Sequence, residues 1–196
     1  MASGERPFSQ ACENNKGPIL AVLQQHCQAA GTLLEIGAGT GQHAAWLSAQ
    51  LPHLIWQPTD VAANLPGIRL WLQDACSRAL EPLVLDVAGD WPEERFDYLY
   101  TANTFHIMSA DQVVRCIDAG CGHLSEGGRF LIYGPFNVDG RFTSESNASF
   151  DQWLREIDPQ RGIRDQAWIE AQFARHGLGL VADHALPANN KVLVFG

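Results

Sequence analysis

Short apolar runs alternate with amphipathic stretches along the chain, the pattern of a sheet built from strand–helix–strand units. The first ~17 residues are polar and read as irregular. Pro18 stands where a helix would open, since its missing N–H costs nothing at the first helical position. Ile19, Leu20, Val22 and Leu23 follow at helical spacing, and Gly31 can end that helix. Thr32 to Ile36 reads as a buried strand. A glycine-rich turn, Gly37 to Gly41, then feeds a helix carrying Ala44, Ala45, Leu47 and Leu51. Leu54-Ile55-Trp56 is the second strand, ending near Asp60. Pro66 to Leu80 is a helix with Ile68, Leu72 and Ala75 on one face. Leu83-Val84-Leu85 is the third strand and Phe96 to Tyr100 the fourth, running into Thr101 to His106.

Ser109 with Gln112 forms a capping box before a helix whose inner face is Val113, Val114, Ile117 and Leu124. Gly127-Gly128 predicts a turn and Arg129 to Tyr133 a fifth strand. Beyond Pro135 the periodicity breaks. Asn137 to Asn147 reads as a loop placed to cover a site, followed by helices near Phe150 to Ile157 and Asp165 to His176. Leu180 to His184 and Lys191 to Phe195 close the pattern as an antiparallel pair at one edge. There is no internal repeat and no low-complexity tract. The tryptophans lie in apolar stretches and read mainly as core.

Size and composition narrow this picture. A chain of 196 residues, 46% hydrophobic and 18% charged, suits one compact domain with a sizeable core. No apolar run is long enough to span a bilayer, and residues 1–10 lack the basic-then-apolar pattern of a signal peptide. A cytoplasmic protein is expected. The five cysteines are scattered without C-x-x-C spacing, so no metal site is expected. The net charge of −9, with no basic cluster, disfavours duplex nucleic acid and moves expectation toward a small-molecule partner.

The sharpest signal is Leu33-Leu34-Glu35-Ile36-Gly37-Ala38-Gly39-Thr40-Gly41. A hydrophobic strand runs directly into glycines at alternate positions, where the chain must reverse and a ligand can lie against bare backbone. The dinucleotide fingerprint G-x-G-x-x-G/A would place Gln42 at its last position, which wants a small residue. The spacing is instead acid-x-G-x-G-x-G, which resembles motif I of class I methyltransferases. Asp60 follows roughly 20 residues on, where an acid meets ribose hydroxyls in this topology. Asp86 ends strand three, where by resemblance an acid accepts from an adenine amino group with Val87 packed on the ring. Each acid alone is equally well a helix cap. In register with the turn they point together to a nucleoside.

The chain resembles the domain-of-unknown-function 938 family, whose animal members are called methyltransferase-like 26. The resemblance rests on Glu13-Asn14-Asn15-Lys16 with Pro18-Ile19-Leu20, the glycine turn, Asn103-Thr104-Phe105-His106-Ile107, Tyr133-Gly134-Pro135-Phe136, and Ser146-Asn147 with Phe150-Asp151. Gly162-Ile163-Arg164-Asp165 and Pro187-Ala188-Asn189-Asn190-Lys191 extend it nearly to the end of the chain. Thr104 departs from it, where members often carry a larger apolar residue. The resemblance implies a Rossmann-like α/β fold over residues 1–196. Its sheet is mostly parallel and seven-stranded, with an antiparallel last strand and helices on both faces. Residues 1–30 would pack over the cofactor edge. It also implies S-adenosylmethionine as cofactor, leaving S-adenosylhomocysteine as product. Expected cofactor contacts are Glu35, Gly37, Ala38, Gly39, Gly41, Asp60, Asp86, Val87 and Asn103.

Methyl transfer needs positioning of a nucleophile and, for a protonated acceptor, a base. Asn103 and His106 at the end of strand four are the catalytic candidates. His106 reads as a base from its near-neutral intrinsic pKa, or as a cap or wall residue. The segment lacks the Asn-Pro-Pro-Tyr type of motif that grips planar amines. Asn14, Lys16, Tyr133, Phe136, Asn189 and Asn190 are substrate candidates. The competing readings are a tRNA- or protein-directed methyltransferase, a non-catalytic partner protein that kept the fold, and a nicotinamide dehydrogenase. The last is disfavoured by Gln42 and by the lack of a Tyr-x-x-x-Lys pair.

Overall fold

The computed structural model describes residues 5–73 and 76–196. The elements run, in chain order, α1 (Gln10–His26), β1 (Gly31–Ile36), α2 (Gln42–Gln50), β2 (Leu54–Asp60), α3 (Leu65–Leu72), β3 (Leu83–Val84) and β4 (Phe96–Ala102). They continue with α4 (Ala110–His123), β5 (Leu124–Asn137), α5 (Glu145–Ile157), β6 (Arg164–Asp165), α6 (Gln166–Ala174), β7 (Leu180–Leu186) and β8 (Asn190–Phe195). The strands order as β3, β2, β1, β4, β5, β8, β7. Pairings from β3 to β5 are parallel, while β8 inserts antiparallel between β5 and β7. The short β6 pairs beside the end of β5.

Strand alternation sends successive side chains to opposite faces, and this divides the core. Leu34, Ile36, Leu99, Phe130 and Phe195 pack with Val113, Cys116 and Ile117 of α4 and Ile169 and Phe173 of α6. Leu33, Trp56, Tyr98, Tyr100, Leu131 and Val194 pack on the other face with Ile19 and Leu23 of α1 and Leu47 of α2. The crossover helices therefore cover both faces, which explains why the central strands read as unbroken apolar runs. Among the described residues no helix is long and apolar enough to cross a membrane.

Several boundaries differ from the sequence expectation. Helix α1 begins at Gln10, and Pro18 lies inside it. Ser9 caps it, accepting from the Cys12 amide. The polar first turns are held from α2: Gln42 Oε1 accepts from the Ser9 amide at 2.6 Å, and Gln42 Nε2 donates to Glu13 at 2.8 Å. The helix predicted over 66–80 ends at Leu72. Leu80 lies outside any helix and its amide donates to the Trp56 carbonyl of β2, while Ala75 lies outside the described residues.

Gly127 and Gly128 do not end an element. Strand β5 runs through them, with a register irregularity against β4 between Phe96 and Tyr98. A Cβ on Gly128 would lie 2.7 Å from the Asp97 carbonyl oxygen, so the close strand approach requires glycine. Helix α5 starts at Glu145 under a Ser144 cap, five residues before the apolar run that announced it. Of the tryptophans, Trp56 is fully buried while Trp153 is 54% exposed, stacked on Phe150.

Candidate functional site

The parallel strands β1, β2 and β4 end at one edge of the sheet, and a cleft of about 550 Å³ opens there. Open α/β sheets bind ligands at this carboxyl edge. Its floor is the turn after β1. Gly37, Gly39 and Gly41 all have positive φ, at 73°, 58° and 89°. They do different work. Gly39 faces open space, so bare backbone is presented to the cleft. Gly41 does not line the cleft. A Cβ there would sit 2.7 Å from Ile68 Cα, so its absence lets α2 and α3 approach.

Asp60, at the end of β2, holds this turn. Its Oδ2 accepts from the Gly39 amide at 2.6 Å, and its Oδ1 accepts from the Val61 amide at 2.7 Å and the Asn64 side chain at 2.9 Å. A carboxylate has about four acceptor positions, so capacity remains toward the cleft it lines. Asp86 lies across from it, exposed, with Oδ1 on the Ala88 amide. Val87 and Leu85 beside it are buried and, with Met108, make an apolar slot. Among the described residues no lysine or arginine lines the cleft, and the charged lining is carboxylate.

Glu35 is expected at this cleft and does not line it. Its side chain turns beneath the glycines, 1% exposed, and accepts from Trp56 Nε1 at 2.7 Å. Burial raises its pKa to about 8, with the Trp56 bond opposing and Asp60 adding to the rise. The reason is the strand's period: position 35 faces the α1–α2 side, where Trp56 supplies a donor.

The opposite side of the cleft comes from the end of β4 and the loop that joins it to α4. Asn103 adopts φ 59°, a left-handed conformation that asparagine tolerates. Its backbone N–H donates to the Tyr133 carbonyl at 2.9 Å. His106 is 6% exposed and its ring meets the Phe150 ring edge-on at 5.2 Å. Burial lowers its pKa to about 4, aided by Arg164 and Arg161. The Arg164 guanidinium binds the carbonyls of Phe105, Met108 and Gln160, clamping the loop that carries His106. The third wall is α1, through Ser9, Ala11 and Cys12, with His43 of α2 behind it. His43 is bonded at both nitrogens: Nε2 to Asn15 Oδ1 at 2.7 Å and Nδ1 to the Tyr100 hydroxyl at 3.5 Å. Burial lowers it, too, to about 4.

The other sequence candidates separate. Gly37, Ala38, Gly39, Asp60, Asp86, Val87, Asn103 and His106 meet in the cleft. Asn14, Tyr133 and Asn190 line a second, smaller cleft that shares Ala11 and Asn103 with the first. Lys16 lines neither. It pairs with Glu13 and lies over the Trp46 ring, 5.2 Å from its centre. Phe136 is 2% exposed within the core, and Asn189 accepts from Asn147 through its backbone. The 137–147 segment contributes no lining residue to the main cleft. Val138 and Arg141 bond to each other, and Gly140 to Asp165.

Ser9, Cys12, His43, Asn64 and Phe150 line the cleft although the sequence does not mark them as site residues. For His43 a signal exists, a histidine at the start of the helix after the glycines. For the others the partners are too distant in sequence.

Strand order, the antiparallel β8 and the glycine turn at the carboxyl edge together define the Rossmann-like fold of class I methyltransferases. Solved structures share it. An O-methyltransferase family protein from Burkholderia thailandensis superposes with a TM-score of 0.82 at 18% identity, over 94% of this chain and 57% of that one. The S-adenosylmethionine-dependent methyltransferase SibL gives 0.79 at 21%, over 95% and 55%. An O-methyltransferase family 2 protein from Planctomyces limnophilus, in complex with apigenin, gives 0.76 at 18%, over 86% and 51%. The chain thus spans a little over half the length of the structures it matches. It belongs to the family described as protein of unknown function DUF938, whose profile covers residues 6–196.

Proposed function

We propose that this protein is an S-adenosylmethionine-dependent methyltransferase acting on a small-molecule acceptor. The observation that carries the reading is the charge of the main cleft. Carboxylates stand at the ends of β2 and β3 with bare backbone between them, and no cation lines it among the described residues. A pyrophosphate would be repelled there, whereas a nucleoside bearing a sulfonium cation is attracted. The donor set fits this ligand piece by piece. Asp60 offers acceptors for ribose hydroxyls and Asp86 an acceptor for an adenine amino group. Leu85, Val87 and Met108 form an apolar slot for the ring, with Gly37 to Gly39 beneath. Glu35 supports the turn from below and makes no direct contact. SibL, of the same fold, is by name S-adenosylmethionine-dependent.

When bound, S-adenosylmethionine supplies a methyl group already activated by its sulfonium charge. The chain's residues then position and shield. Asn103 lines both clefts and so stands where they meet. His106 is neutral at physiological pH, so its ring can accept a hydrogen bond from the acceptor group, while burial with Arg164 and Arg161 makes it a weak base that would carry a proton only in passing. Helix α1 and Phe150 exclude water from opposite sides. A small acceptor is favoured by this enclosure and by the overall acidic charge.

Calorimetric titration with S-adenosylhomocysteine, with NAD in parallel, tests the reading. Binding of the former alone is expected, weakened at least about ten-fold in Asp60→Asn, which removes the charge and turns one of the two acceptor oxygens into a donor. Binding of NAD alone, or of neither, overturns it.

A further inference from the structure

The smaller cleft lies between α1, the start of the Asn103 turn, β5 and the Pro187–Asn190 connection of β7 to β8. It measures about 160 Å³. Its polar lining is uniform in kind: the amides of Asn14, Asn15, Asn103 and Asn190 and the hydroxyl of Tyr133, with alanine and proline for the rest. Among the described residues no charged side chain lines it. The cations nearest in sequence are already engaged, Lys16 by Glu13 and Lys191 by Asp183 and Gln166. A charged ligand would therefore lose its hydration with no counter-ion to replace it. An uncharged ligand able to hydrogen-bond meets donors and acceptors on every side. The size is equally restrictive, since ~150 Å³ is the cavity that accommodates a benzene.

The Tyr133 hydroxyl has a defined polarity. Asn15 Oδ1 can only accept, so His43 Nε2 carries the ring proton in their 2.7 Å bond. His43 Nδ1 is then the acceptor for the Tyr100 hydroxyl at 3.5 Å. The Asn15 amide NH₂ is left to donate, and the Asn15 side chain lowers the Tyr133 pKa against the larger rise from burial, as a donor beside the hydroxyl does. Among the described residues no hydrogen-bond acceptor takes the proton of the Tyr133 hydroxyl, and Tyr133 lines the cleft. The buried chain runs from Tyr100 through His43, which also lines the main cleft, to Asn15, which lines the smaller one beside Tyr133.

We propose that this cleft is the methyl-acceptor subsite. It takes an uncharged, hydrogen-bonding group no larger than a single six-membered ring, anchored by a lone pair on the Tyr133 hydroxyl. The inference rests on the methyltransferase reading for its role as acceptor site, and on the lining alone for its ligand class. Asn103, shared by both clefts, is the contact between acceptor and cofactor sides. Tyr133 is a positioning residue, which selects and orients the acceptor.

Ring-sized probes test it. Phenol and 2-pyridone (uncharged), with benzoate and N-methylpyridinium (charged), are titrated by saturation-transfer NMR with and without saturating S-adenosylhomocysteine. The uncharged probes are expected to bind and the charged ones not. Asn14→Trp, an exposed position at the cleft mouth, is expected to abolish probe binding. Tyr133→Phe is expected to weaken it about ten-fold. Both variants should still bind S-adenosylhomocysteine. Equal binding of charged and uncharged probes, no binding of any, or unchanged binding in Asn14→Trp overturns the subsite. Probe binding that follows the expected pattern in a protein that does not bind S-adenosylhomocysteine overturns the cofactor reading and leaves the ligand class standing.

Discussion

Two walls of the main cleft each carry a buried histidine, and they are built differently. On the α1–α2 wall, His43 is bonded at both ring nitrogens, to Asn15 and Tyr100. On the wall made by the β4–α4 loop and α5, His106 is packed by Phe150, and its ring nitrogens take no hydrogen bond among the described residues. Burial lowers both to about 4. The same titration behaviour thus arises from one ring whose tautomer is set by the protein and another whose tautomer the protein leaves open. His43 is fixed by its two bonds, while the nitrogens of His106 keep their hydrogen-bonding capacity at the cleft it lines.

The largest expected effect treats the two walls alike. Both histidines are neutral in the fold, while the unfolded chain takes up protons near pH 6.5. Their contribution is therefore complete above about pH 6.5 and is lost as pH falls toward 4, at most ~3 kcal/mol for each. Glu35 works the other way. With its folded pKa raised to about 8, its contribution is complete below about pH 4.5 and is lost as pH rises through 8. Urea unfolding of Glu35→Gln across pH 4 to 9 should show a steep acid limb and a flatter alkaline limb than wild type. A flat acid limb would mean that the walls are open to water.

A smaller effect separates the walls. Asn15→Leu leaves the buried His43 Nε2 without its acceptor, at a cost of ~3 kcal/mol. For a chain of this size that lowers Tm by about 6–12 °C. Phe150→Leu, on a half-buried ring with no polar partner, should cost under ~1.5 kcal/mol. Thermal melts of the two variants decide this. Equal losses would show that hydrogen bonding does not stiffen the α1 wall.

The smallest change in stability is expected at His106. His106→Gln should stay within ~1 kcal/mol at pH 7, because no bond to protein is broken. Turnover of a protonated acceptor should nevertheless fall by ~10²-fold or more if the imidazole takes its proton. A variant of full activity would assign His106 to the wall alone.

Much of this molecule is legible in order along the chain. The strand β1, its glycine turn and the acids at the ends of β2 and β3 are local signals, because period-2 burial and positive φ leave their mark on adjacent residues. The Ser109–Gln112 capping box is legible for the same reason, and the structure holds both of its bonds. The start of α1 is not legible. Its first turns are polar, and the partners that make them helical, Gln42 and His43, lie about thirty residues away. Pro18 points to a later start, since a mid-helix proline is tolerated only when tertiary contacts outweigh its missing bond.

The same division holds at the site. Residue type at fixed spacing is enough to predict a turn of bare backbone after β1 with acids placed around it. Which acids face the cleft is decided only by packing. Glu35 is turned away by the strand's alternation and held by Trp56, while Asp60 is aimed at the turn it stabilises. Packing alone also gathers Asn14, Asn103, Tyr133 and Asn190 into one uncharged cleft. No spacing rule relates those positions, since a helix, the turn after β4, the interior of β5 and the start of β8 are brought together only when both faces of the sheet are covered.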